Sequence, residues 1–189
     1  MGYYPEMDLI WKEESGRVVF ENGIFSIREN LCRSPSGKTG LYTTMEAPDW
    51  AVVVPALDGP QGRRFVMVRQ WRHGARELSL EFPGGVFERG ENPEDAAARE
   101  LEEETAYRPR KMTGLGEMSP NPAIMGNRVH FFLAEDLTDT GKRHLDVDEY
   151  LDVELFPAEE VIRGMGKPPY IHALMAAALM LYLRRGVAS

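Results

Sequence analysis

At 189 residues the chain is long enough for one well-cored domain with an appended subdomain, and its composition is that of an ordinary soluble globular protein. A net charge of −8 with no basic block argues against nucleic acid or an anionic membrane as the main partner. Cys32 is the only cysteine, which excludes an intrachain disulfide and fits a reducing cytoplasm.

The opening stretch MGYYPEMDLIWKEE lacks the basic and apolar regions of a signal peptide. Residues 1–48 read as a β-rich N-terminal subdomain. Its short, partly alternating runs are Trp11–Glu14, Arg17–Phe20, Ile24–Leu31 and Leu41–Met45. Turn signals separate them at Ser15-Gly16, at Glu21-Asn22-Gly23 and at Ser34–Gly37. The main domain then occupies residues 49–189.

Trp50–Leu57 is a continuous apolar run of strand length, as expected of a central strand covered on both faces. A turn at Asp58–Gly62 leads to a returning strand over Arg64–Trp71, and Glu77–Phe82 leads into Pro83-Gly84-Gly85. Beyond the following helix, Lys111–Met118 and Arg128–Ala134 are strand candidates, 135–146 is a polar loop, and Tyr150–Phe156 is a last strand. Helices are expected over Pro157–Arg163 and Ile171–Arg185. The apolar run in the latter, IHALMAAALMLYL, is about 13 residues, short of the roughly 20 needed to span a bilayer. Strands, a helix, strands and helices in this order suit a mixed sheet between helices, an α/β class.

Between Gly85 and Tyr107 the sequence reads GVFERGENPEDAAARELEEETAY. Asn92 can cap a helix, Pro93 suits its first position, and Glu94 and Asp95 sit near the positive end of its dipole. At about 100° per residue, Ala97, Ala98, Leu101 and Thr105 share one arc, while Glu100, Glu103 and Glu104 share another. Like charges at these spacings destabilise an isolated helix by roughly 0.2–0.5 kcal/mol per pair. A hard divalent cation would offset that cost, and oxygen ligands favour magnesium, manganese or calcium over zinc. Arg99 can pair with a neighbouring acid, and Glu91 can reach back to it. A solvated acidic helix face is the competing account of a glutamate run taken alone.

Gly85, five residues, Glu91, seven residues, Arg99-Glu100-Leu101, one residue, Glu103-Glu104 resembles the signature of the Nudix hydrolases. The last three places hold Thr105, Ala106 and Tyr107, with alanine where the family has glycine. The resemblance implies a Nudix fold, an α/β/α sandwich with a mixed sheet. It also implies a Mg2+-dependent hydrolase, with Mn2+ as an alternative ion. Glu100, Glu103 and Glu104 are then the metal ligands, Glu103 and Glu104 holding the main catalytic ions. The carbonyl of Gly84 adds a backbone ligand, as in the ADP-ribose branch. Glu81, Arg99 and Glu91 become supporting residues, with a structural salt bridge as the other role for Glu81.

Arg72, after Val68-Arg69-Gln70-Trp71, resembles the arginine of ADP-ribose pyrophosphatases that reaches the substrate phosphates. Pro122, 15 residues beyond Tyr107, resembles a marker of the same branch. NPAIMGNR stands where strict ADP-ribose enzymes carry Pro-Gly-Phe-Ser, which leaves room for other nucleoside diphosphate sugars. In this branch the general base comes from an acidic loop before the last strand. Here that loop is His144–Glu149, with Glu149 first and Asp148 next; His130 and His144 are poorer candidates. Trp50 and Phe25 are candidates to stack on the base, with core packing as the competing role for both. The resemblance further implies a homodimer through the N-terminal sheet. The activity implied is cleavage of the diphosphate of ADP-ribose or a related nucleoside diphosphate sugar. A nucleoside triphosphate pyrophosphohydrolase and a non-catalytic ligand-sensing domain are the rivals.

Overall fold

The structure, a computed structural model, describes residues 9–145 and 150–186. The chain divides into two compact units, one of residues 1–48 and 119–127, the other of 49–118 and 128–189.

The first unit holds a three-stranded antiparallel sheet in the order β1 (Lys12–Glu21), β2 (Ser26–Arg33), β3 (Thr39–Glu46). The two runs expected on either side of Ser15-Gly16 are one strand. Its register shifts at Glu13/Ser15, so the local irregularity is a bulge and not a reversal. Gly16 lies opposite Asn30, and a Cβ on it would stand 2.5 Å from the Asn30 side-chain oxygen. That asparagine is buried and donates to Thr44 Oγ1 at 2.9 Å. The glycine is therefore explained by close strand approach and not by a turn. The segment 119–127 turns at Asn121, whose carbonyl accepts from Met125 N at 2.8 Å, and it bridges β3 through Met45 and Met125.

The second unit is built on a six-stranded mixed sheet. The strands are β4 (Trp50–Gly59), β5 (Gly62–Arg72), β6 (Glu77–Glu81), β7 (Tyr107–Met118), β8 (Val129–Asp139) and β9 (Leu151–Pro157). They run in the order β6-β5-β4-β8-β7, with β9 paired to β5. Only β4 and β8 run parallel; the other pairings are antiparallel. β7 begins at Tyr107, four residues before its expected start, and β8 continues through Asp139 into what read as polar loop. Pairing explains both extensions, since Tyr107 stands opposite Asp139.

β4 is apolar from Trp50 to Leu57 because helices cover both of its faces there. Ala51 and Val53 pack with Ala97 and Leu101 of α1 (Pro93–Thr105) and with Phe132 and Ala134 of β8. Val52 and Val54 pack on the other side with Phe131, Leu133, Met175 and Leu179. The last two belong to α3 (Ala173–Arg184), which follows the short α2 (Ala158–Gly164). No helix among the described residues is long and apolar enough to cross a membrane.

α1 starts where the sequence predicts. Asn92 Oδ1 accepts from the backbone N–H of Glu94 and of Asp95, each at 3.0 Å, and Pro93 is the first helical residue. The buried face differs by one position from the expected arc: Ala96, Ala97, Leu101 and Thr105 are buried, while Ala98 is only partly so. Glu104 joins the buried set and is 3% exposed.

Candidate active site

Three segments of the second unit converge: the end of β6 with the glycine loop after it, the acidic face of α1, and the end of β5. The glycine loop runs along β4. Val53 N donates to Pro83 O and Ala51 N donates to Gly85 O, both at 2.9 Å. Side chains on these glycines would block that approach. A Cβ on Gly84 would run into the Ala51 carbonyl, and one on Gly85 would stand 2.5 Å from the Glu100 carboxylate. Close packing lets Gly84 N donate to Glu104 Oε2 at 3.0 Å, so a backbone N–H holds one end of a buried carboxylate.

Arg99 organises the rest of the acidic face. Its Nε and Nη2 donate to the two oxygens of Glu91 at 2.9 and 3.0 Å, a fork-to-fork pair. Nη1 donates to Glu100 Oε1 at 3.0 Å and Glu103 Oε2 at 2.9 Å, and Nη2 also reaches Val86 O at 3.1 Å. One cation thus ties the loop exit to two glutamates of the helix. The hydrogen bonds from Arg99 hold the Glu91 carboxyl below its ordinary range, and the same contact raises the guanidinium further above its own. The like-charge repulsion expected on the helix is offset here by Arg99.

On the other side of the glycine loop, Arg72 donates from Nε to Glu81 Oε1 at 2.9 Å and from Nη2 to Glu81 Oε2. Glu81 is almost fully buried, whereas the Arg72 side chain is 41% exposed. His172 Nδ1 faces Glu81 Oε2 at 2.9 Å. Burial alone would push the Glu81 carboxyl up. The hydrogen bonds and charges of Arg72 and His172 outweigh that and bring it down to about 2. Arg72 loses charge stability to burial and regains more from Glu81, with a smaller contribution from the nearby charge of Glu104. Arg72 therefore lies within electrostatic reach of the acidic face of α1.

Gly84, Glu104, Glu100, Glu103, Glu91, Arg99, Glu81 and Arg72 thus lie around one loop and one helix. Trp50 stands at the start of β4, bridges Val86 through its backbone, and packs half-buried against the cluster on the α3 side. Phe25 belongs to the first unit, where its ring centroid is 5.9 Å from that of Phe20. Glu149 and Asp148 lie outside the described residues. His144 donates its backbone N–H to Glu103 O at 3.1 Å, and His130 Nε2 lies 3.3 Å from Asp49 Oδ2. His172 is the residue that the sequence did not single out. Its contact with Glu81 spans 91 positions, and a lone histidine ahead of a helix carries no local signal.

As placed, no three His, Cys, Asp or Glu side chains among the described residues stand close enough together to hold an ion. The donor set nonetheless fits a hard divalent cation. It consists of carboxylate oxygens on one arc of α1, one of them buried, beside backbone that glycine keeps open. A cavity of about 590 Å³ opens at the C-terminal end of α1, lined by Thr105, Tyr107, Asp139, Arg143, Asp152 and Glu154. Glu100, Glu103 and Glu104 do not line it.

A family profile described as the NUDIX domain matches residues 47–176. The chain is 32% identical over 146 residues to an ADP-ribose pyrophosphatase of Bacillus subtilis (strain 168), covering 77% of each chain. It is 34% identical over 112 residues to an ADP-sugar pyrophosphatase of Mus musculus, covering 55% of this chain and 50% of the relative. The fold matches the crystal structure of an ADP compounds hydrolase with a TM-score of 0.82 at 22% identity, over 95% of this chain and 96% of the other.

Proposed function

The chain belongs to the Nudix hydrolase family, and from that premise we propose that it hydrolyses the diphosphate of ADP-ribose or a related nucleoside diphosphate sugar with Mg2+, releasing a nucleoside monophosphate and a sugar phosphate. Hydrolases of this family generally use a divalent metal. When bound, the ion neutralises diphosphate oxygens and lowers the pKa of water. Glu100, Glu103, Glu104 and the Gly84 carbonyl are the donors in this reading, and Mn2+ suits the same oxygens. Arg72 spends Nε and Nη2 on Glu81, and its Nη1 makes no hydrogen bond among the described residues. That edge is assigned to a phosphate oxygen. Glu149, with Asp148 next, is assigned the proton of the attacking water. The bond from the attacked phosphorus to the bridging oxygen breaks as the new P–O bond forms.

The observation that carries this reading is the buried Glu104, fixed by the Gly84 N–H and within electrostatic reach of Arg72. It supports a reading in which Glu104 is a fixed carboxylate donor and Arg72 a phosphate contact on either side of the same loop. The exposed apolar side chains of the first unit, among them Val18, Phe20 and Leu41, support a homodimer. The test is turnover of ADP-ribose by the wild type and by Glu103→Gln. The expected result is a loss of at least roughly 100-fold with the thermal unfolding midpoint retained. A chelator abolishes wild-type turnover and Mg2+ restores it. Turnover that survives Glu103→Gln largely intact overturns the metal assignment.

A further inference from the structure

We propose that His172 is a positioning residue for substrate phosphate: it fixes the Glu81 carboxylate, which in turn sets the direction of the Arg72 guanidinium. The inference rests on the reading of Arg72 as the phosphate contact. Glu81 has three side-chain torsions and ends in an acceptor-only carboxylate, because its acid form is suppressed at neutral pH. Arg72 grips it side-on through Nε and Nη2, so the direction of the remaining Nη1 follows the plane of the carboxylate. A single fork would let that plane swing with the arginine. His172 adds a third point of attachment at Oε2, from a different segment of the chain. Since the carboxylate only accepts, Nδ1 of His172 carries the proton in this contact.

The segment from 169 to 175 holds three consecutive residues at the end of β6. Leu80 N donates to Pro169 O at 3.0 Å, Glu81 meets His172, and Phe82 N lies 2.7 Å from Met175 Sδ. The next residues are Pro83 and Gly84, where the backbone meets Glu104. Ordinary helix capping does not account for the histidine. His172 occupies the N-cap position of α3, yet its side chain makes no capping hydrogen bond. Its carbonyl accepts from Met175 N at 3.1 Å, whereas the described hydrogen bond of its side chain goes to Glu81; that side chain is 37% exposed, so core filling is not its main task either.

The test uses the full chain and three variants. His172→Phe keeps a ring and removes the donor; His172→Asn puts an amide N–H near the position of Nδ1; Arg72→Gln removes the guanidinium. Kinetics are read on the nucleoside diphosphate sugar that the wild type hydrolyses best, and the Arg72 Nε–H resonance is followed by NMR. His172→Phe is expected to raise KM roughly tenfold while kcat falls by less than about threefold, as for a lost charge-assisted hydrogen bond that acts on binding. His172→Asn restores KM to within about threefold, and in the Arg72→Gln background His172→Phe adds less than about twofold. The Arg72 Nε–H signal moves toward that of a free arginine in His172→Phe and returns in His172→Asn. An unchanged KM accompanied by a lowered unfolding midpoint, or additive losses in the double variant, overturns the proposal. If the wild type turns over no diphosphate sugar, the functional reading fails by itself. An Arg72 signal that His172→Phe leaves unmoved then overturns the positioning role, and a displaced one upholds it.

Discussion

Glu81 keeps its negative charge in the protein interior because Arg72 and His172 both donate to it. Its carboxyl is brought from an ordinary 4.5 down to about 2, against the upward push of burial. A depressed acid stabilises the folded state above its unfolded pKa and loses that contribution as pH falls through the folded one. The stability difference between wild type and Glu81→Gln should therefore be fully developed above about pH 4.5, shrink as pH falls, and vanish near pH 2. Chemical denaturation across that range checks it; a difference that does not change with pH contradicts the ion pair. The sequence made the pairing of Arg99 with Glu91 legible, because both belong to one spaced signature. It also presented Arg72 and Glu81 as separate candidates, but not as a bonded pair. His172 was illegible because its partner is set by the docking of the α3 segment on β6, a tertiary contact with no periodic trace.

At the scale of the element, α1 was the most legible part of the chain. Its start is written in Asn92 and Pro93, and its two faces follow the arc positions except that Ala96 takes the buried place expected of Ala98 and Glu104 is buried with the apolar set. Its end is less favourable. Ala106 takes a left-handed conformation, φ 62°, at the C-cap, where its N–H bonds to Glu102 O. Glycine bears no Cβ penalty there. Ala106→Gly should stabilise the protein by about 0.5–1 kcal/mol, which raises the unfolding midpoint by about 1–4 °C for a chain of this size. Asn92→Ala should cost about 1 kcal/mol through the lost cap. Calorimetry on the two variants reads both signs. The strands were less legible at their ends. Ser15-Gly16 has turn composition yet sits in a bulged strand, because Gly16 serves the approach of Asn30. β8 extends to Asp139 through polar residues because it pairs with β7, and pairing is a non-local property.

At the scale of the molecule, the mixed sheet with helices on both faces was readable from the order of apolar runs and from the unbroken apolar stretch Trp50–Leu57 of β4. The first unit presents β1 as an edge strand with Val18, Val19 and Phe20 about half exposed, and β3, on the far side of β2, carries an exposed Leu41. Edges of this kind pair or are covered. Sedimentation of the wild type should give twice the 21.4 kDa chain mass, and a Val18→Glu/Phe20→Glu variant should shift it toward one chain. A wild type that sediments as a single chain at micromolar concentration contradicts the dimer.

Which bond is cut distinguishes a diphosphate-sugar hydrolase from a triphosphate pyrophosphohydrolase. The direct measurement is product identification for ADP-ribose, ADP-glucose, GDP-mannose, UDP-glucose and deoxynucleoside triphosphates, each with Mg2+ and with chelator. The expected result is Mg2+-dependent release of AMP and ribose 5-phosphate from ADP-ribose, or of the corresponding nucleoside monophosphate and sugar phosphate from a related substrate. Pyrophosphate released only from the triphosphates would contradict it.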